Sequence, residues 1–236
     1  MAGAMARIVE PEWLDVLPSE DPRARRSRRD LARVNALMAN SALVARSLRR
    51  ARPAGVRSLA EIGAGDGRFA LRLARALPRP ARAVSITLVD RQALVGAEVA
   101  AALAARGWAA APVQADVFAW LEGSREEYDA IVANLFLHHF ERAALARLLR
   151  LASERTRVFV ACEPRRSALA LAGSRLLGAI GCNDVTRHDA VASVRAGFTA
   201  AELCALWPGA RPGATQWRLT EARGALFSHC FAAVRP

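Results

Sequence analysis

The apolar residues change their spacing along the chain. Between Pro22 and Ala51, Leu31, Val34, Leu37, Met38, Leu43, Val44 and Leu48 recur at helical intervals, which predicts two amphipathic helices. Ala51-Arg-Pro-Ala-Gly55 then breaks the pattern and reads as a linker. From Arg57 onward, short apolar runs alternate with helical stretches. Residues 58–62, 83–89, 112–115, 128–135 and 158–162 read as strands. Helices are predicted over 68–77, up to about 105, and over 141–153. Such alternation, with strands apolar on both faces, predicts an α/β fold: a doubly wound, mostly parallel sheet with helices on either side. The last third departs from the rhythm, with helices expected over 168–180 and 199–207 and strands over 215–219 and 225–234.

The first strand runs into Glu61-Ile-Gly63-Ala-Gly65-Asp-Gly67, where glycines permit a tight turn and close approach of backbone to a ligand. A dinucleotide fingerprint would place its third glycine at 68, which is Arg68. The second strand ends in Asp90 and the third in Asp116, 24 and 26 residues apart from Asp66 onward, as a βαβαβ unit requires. Taken singly, either acid could be no more than a helix cap.

Composition removes whole chemistries. All 34 basic residues are arginine, so there is no P-loop lysine and no lysine for a Schiff base. Cys162, Cys182, Cys204 and Cys230 are scattered without a Cys-x-x-Cys pair, and the histidines are not arranged as paired ligands. Free thiols and no metal site are expected. No apolar run reaches the roughly 20 residues of a bilayer span, and no secretory signal opens the chain, so a cytoplasmic protein is expected. Charge is concentrated: residues 22–60 hold eleven arginines against Asp30, or +10 of the net +12. A solvated helical face explains this block, and its lack of aromatic residues argues against base stacking. A nucleic-acid surface is the alternative.

The Gly-x-Gly-x-Gly turn with its preceding carboxylate resembles the motif of class I S-adenosylmethionine-dependent methyltransferases. Asn134-Leu-Phe-Leu-His-His-Phe140 is similar to the Leu-His-His segment of small-molecule methyltransferases of the ubiquinone/menaquinone-biosynthesis type. Thr186-Arg-His-Asp189, Ser193-Val-Arg195 and Phe198-Thr-Ala-Ala-Glu202-Leu203 resemble a bacterial branch linked to phenolic, quinone and polyketide products. The resemblance covers residues 55–236 and implies a Rossmann-like, seven-stranded sheet with its last strand antiparallel. Residues 1–54 form an N-terminal helical segment and candidate lid, and about 165–200 an insertion that builds the acceptor pocket.

The cofactor implied is S-adenosyl-L-methionine. Gly63 and Gly65 would let its methionine part approach, Asp90 would bind its ribose, and Asp116 with Val117 its adenine; Glu61 and Gly67 belong to the same cofactor-binding turn. Arg91 and Gln92 stand where small residues are common, and Gln92 can still reach the ribose or adenine. Asn134 and Leu135 complete the set. The acceptor implied is a small, aromatic hydroxylated or quinone-like molecule, methylated on oxygen or carbon. Histidine, with an ordinary pKa near 6.5, suits removal of a phenolic proton, and His188 and His139 are the candidate bases. His138 and His229 are expected to be packing or surface residues. Asn134 is not followed by Pro-Pro-aromatic, and Cys162 sits within a strand, so base-amine and 5-methylcytosine chemistry are both disfavoured. The alternatives are a nucleic-acid binder or RNA methyltransferase using the arginine block, and a noncatalytic cofactor-binding scaffold. A monomer or a homodimer fits the sequence equally.

Overall fold

The computed structural model describes residues 5–18, 20–52, 54–208, 217–224 and 227–235, with Ala36 and Leu37 described by their backbone only. Three helices precede the sheet: α1 (Trp13–Val16), α2 (Pro22–Leu37) and α3 (Asn40–Ala51). The alternating region follows as β1 (Ser58–Ile62), α4 (Arg68–Ala76), β2 (Val84–Asp90), α5 (Ala97–Ala104), β3 (Trp108–Gln114), α6 (Val117–Gly123), β4 (Ala130–Asn134), α7 (Arg142–Arg155) and β5 (Val158–Pro164). Then come α8 (Ala168–Arg175), a 3-10 turn (Leu176–Ile180), α9 (Asp184–Ala196), α10 (Glu202–Leu206), β6 (Arg218–Arg223) and β7 (Ser228–Val234).

The seven strands lie in the order β3-β2-β1-β4-β5-β7-β6. β1 to β5 are parallel, and β7 is inserted antiparallel between β5 and β6. The Rossmann-like sheet with an antiparallel last strand is therefore as the sequence predicts. Period-two alternation divides the strands between two cores. Ile131, Ala133, Phe159 and Ala161 face one side, with α6, α7 and α10. Ala130, Val132, Val158 and Val160 face the other, where Val44, Ala45 and Leu48 of α3 join α4 and α5. The third N-terminal helix, α3, thus shares the sheet's own core, and its arginines point outward.

Local differences from the expected elements have local causes. β3 begins at Trp108, four residues before the expected 112, because an alanine-rich run pairs with the whole of β2. Pro112 is tolerated there because β3 is an edge strand. The helix expected over 168–180 is α8 relaxing into the 3-10 turn. The run around Thr186–Asp189 lies in the 13-residue α9, capped by Asn183, whose side chain accepts the amide of Thr186 at 2.9 Å. The expected strand over 215–219 lies in part outside the described residues and is seen as β6, and residues 225 and 226 of the last strand lie outside them too.

Winding reverses between β3 and β4, so β1 and β4 flank a switch point at the carboxyl edge of the sheet, where ligands of such folds bind.

Candidate active site

The turn after β1 is built on three left-handed glycines, Gly63, Gly65 and Gly67, with φ of +69°, +54° and +74°. A Cβ on Gly63 would stand 2.2 Å from Cδ2 of Phe136, which follows β4, whereas a Cβ on Gly65 would meet nothing within 4 Å. The turn is therefore closed toward β4 and open at its tip. The amide of Gly65 donates to Oδ2 of Asp90 at 2.8 Å, and that of Gln92 to Oδ1 at 2.9 Å. Asp90 is not a helix cap, since α5 begins at Ala97 behind Gly96. Arg91 is exposed, and its carbonyl accepts from Gln114.

Glu61 is fully enclosed beneath this turn, and its Oε2 has no hydrogen-bond partner. Burial, with Asp66 and Asp90 nearby, pushes its carboxyl well above the usual range. An orphaned buried carboxylate under an open glycine tip suits a cationic ligand group.

Asp116 caps α6, its Oδ1 accepting from Phe118 at 2.9 Å and Ala119 at 3.2 Å, with Val117 buried behind it. Asn134 accepts at Oδ1 from Asn40 of α3 at 2.8 Å, and Asn40 in turn accepts from Ser228 at 2.6 Å. Leu135 adopts φ +54° and donates its amide to Cys162 at 2.9 Å, which turns the chain sharply out of β4.

Beyond β4, Glu163 at the end of β5 gathers the loop. Its carboxylate accepts the amides of Phe136 and Leu137 at 3.1 and 3.0 Å, and pairs with Nδ1 of His138 at 2.8 Å. The opposite ring nitrogen of His138 meets Oε1 of Glu12 at 3.3 Å, and the Ser193 hydroxyl also donates to Glu12. Burial alone would lower the pKa of His138, but the hydrogen bonds to Glu12 and Glu163 raise it to about 9. Glu12 is lowered to about 2, burial being outweighed by His138. His138 is thus a packing residue as expected, yet ionised and paired on both sides. His229 is also buried, bonded to Glu221 at 2.6 Å.

The N-terminal segment is strapped across this loop. Arg7 donates to the carbonyls of Ala196, His138 and Phe140 at 2.7, 3.1 and 2.9 Å. Asp189 of α9 accepts the amides of Trp13 and Leu14 at 2.8 and 3.0 Å, closing the first turn of α1. His188 stacks on Trp13 with centroids 4.1 Å apart, and its Nδ1 lies 2.9 Å from Asp189. His139, a quarter exposed, faces Oδ2 of Asp15 at 3.3 Å. Each candidate base therefore has a carboxylate at Nδ1. His188, Trp13, Val191, Arg175, Arg187 and Arg195 line a cavity of about 520 Å³ between the strap and the insertion. Sequence reading missed Glu163, at the end of β5, and Glu12 and Asp15, which lie on a strap that only the fold brings back to the sheet.

Residues 59–158 match the family described as a methyltransferase domain. No curated protein matches the sequence. Solved structures do. The plantazolicin methyltransferase BpumL in complex with SAH is 12% identical, with 92% of each chain covered and a TM-score of 0.66. Magnesium protoporphyrin IX methyltransferase from Synechocystis PCC 6803, with bound SAM, is 12% identical over 95% of this chain and 88% of its own, TM-score 0.54. The mitomycin 7-O-methyltransferase MmcR is 17% identical over 94% of this chain and 60% of its own, TM-score 0.60. Residues 59–158 thus match a methyltransferase domain, within a fold shared with structures solved with SAM or SAH. Among the described residues, no helix is long and apolar enough to cross a membrane.

Proposed function

We propose that this protein transfers the methyl group of S-adenosylmethionine to a small, hydroxylated aromatic or quinone-like acceptor. The observation that carries the cofactor half is the buried Glu61, whose Oε2 lacks a hydrogen-bond partner, on the strand that leads into the open tip at Gly65. When bound, the cofactor supplies an electrophilic sulfonium methyl group. The chain's own residues hold and orient. Glu61 faces the amino group of the methionine part. Asp90, fixed in rotamer by the amides of Gly65 and Gln92, keeps lone pairs for the two ribose hydroxyls. Asp116 with Val117, and Asn134 with Leu135, border the adenine and methyl ends.

On the acceptor side lies an open cavity between the strap and α9, whose wall combines Trp13 and Val191 with three arginines and the acids Glu10 and Asp184. An aromatic ring bearing an anionic or hydroxyl group suits that lining. His188 takes the acceptor's proton, since the buried Asp189 at its Nδ1 fixes the ring and leaves Nε2 to face the cavity. The His139 ring lies 6.4 Å from that of Phe136, whose side chain closes the glycine turn at Gly63. The three neighbouring structures all bear the names of methyltransferases of small molecules or modified natural products, which supports this acceptor class.

The test is incubation with labelled S-adenosylmethionine and a panel of phenols, hydroxyquinones and other metabolites. Label appearing in a phenolic or quinone product upholds the reading; label appearing only in RNA or protein contradicts it.

A further inference from the structure

Glu12, His138 and His139 each present one ligand atom, all three atoms lying within 4.8 Å of one another. We infer that this cluster, with Asp15 beside it, is a binding site for a first-row divalent cation where the N-terminal strap meets the loop after β4. The inference deepens the function proposed above, but the site's existence is tested independently of it.

Spacing is the first argument. His138 Nε2 stands 3.3 Å from Glu12 Oε1, and His139 Nδ1 stands 3.3 Å from Asp15 Oδ2. Nitrogen and oxygen ligands at about 2.0–2.1 Å from a tetrahedral ion are themselves roughly 3.3 Å apart. The outer shell is the second argument. A ligating imidazole almost always gives its other ring N–H to a carboxylate or carbonyl, which fixes its tautomer and raises its basicity. Here Nδ1 of His138 is held by the wholly buried Glu163 at 2.8 Å, aiming Nε2 at the cluster. Glu163 is itself fixed by the amides of Phe136 and Leu137.

Charge is the third. Three carboxylates, of Glu12, Asp15 and Glu163, surround two imidazoles. A dication entering the cluster takes the place of the proton shared by His138 and Glu12, which leaves to solvent. Two imidazoles with carboxylate select zinc, cobalt, manganese or iron over magnesium and calcium, which prefer an all-oxygen shell. Two ligands come from the loop after β4 and one, Glu12, from the strap, so the ion would tie the strap to that loop. With His139 and Asp15 partly exposed, a coordination position faces solvent. An ion held there would act as a Lewis acid toward an oxygen ligand entering from solvent.

Cobalt is the probe. The full chain, stripped with chelator, is titrated with cobalt chloride and followed by its visible d–d absorption. One equivalent saturating the band is expected. His139→Gln and Glu12→Gln, checked for folding by circular dichroism, should bind at least tenfold more weakly, and Glu163→Gln about 10–100-fold more weakly. No saturable band in the wild type, or equal binding by all three variants, overturns the site. S-adenosylhomocysteine binding is measured on the same samples. If it persists without cobalt binding, only the cation site fails; if cobalt binds while it is absent, the cation site stands and the methyltransferase reading fails.

Discussion

The amide of Gly65 donates to Oδ2 of Asp90 at 2.8 Å, joining the turn after β1 to the end of β2. This bond sets the depth of the glycine turn and the rotamer of the acid at once. Asp90→Ala is therefore expected to weaken S-adenosylhomocysteine by about 1.5–3 kcal/mol, the worth of hydrogen bonds involving a charged group. Asp90→Asn should lose less, since it can still accept from Gly65. Calorimetric titration of the two variants distinguishes them.

Glu61 gives the clearest dependence on pH. Its carboxyl holds a proton to higher pH in the folded protein than in the unfolded chain. The folded state therefore binds more protons, and this group's contribution to stability declines as pH rises from the ordinary carboxylate range toward the raised value. Glu61→Gln removes that decline. Thermal melts should show the variant melting higher than the wild type at neutral pH and little different at pH 4. The same variant should bind S-adenosylhomocysteine about 10–100-fold more weakly, having lost a charge-assisted bond. Wild-type affinity should climb with pH while that of the variant stays flat.

His188→Ala tests the base. A loss of about 10²–10⁴ in kcat, with cofactor affinity unchanged and the acidic limb of the pH–rate profile gone, is expected of general-base catalysis. A uniform drop across the profile would instead mark a positioning role through Trp13.

Exposed arginines on α2 and α3, among them Arg25, Arg29, Arg46 and Arg50, form the basic outer face. Fluorescence anisotropy with short RNA should show only weak binding that falls steeply between 50 and 200 mM salt, as for phosphate contacts alone. Sequence-selective binding that survives the higher salt would move the function toward nucleic acid.

Most of the sheet was legible because its strands carry apolar residues on both faces, and the glycine turn with Asp90 was legible because its spacing is local. β3 was read short because Ala109–Ala111 carries no strand signature; only pairing with β2 defines it. α9 was obscured because Thr186, Arg187, His188 and Asp189 interrupt its apolar positions, and Thr186 and Asp189 are buried through polar contacts: Thr186 donates to Ser27, and Asp189 receives the amides of α1. Such seams leave no hydrophobic period to detect. The pairing of Glu12 with His138 spans 126 residues and has no local signal at all.

Gly65→Asp bears most directly on the central claim. At +54° with open space around its Cβ position, residue 65 can carry aspartate, a residue that tolerates left-handed backbone, without clash against the protein. The variant should fold. Titration calorimetry should show the wild type binding S-adenosylhomocysteine in the micromolar range, about −7 to −8 kcal/mol, and the folded variant not binding at all, its side chain filling the space over Glu61. Absence of binding by the wild type, or equal binding by the variant, would contradict a cofactor seated on this turn.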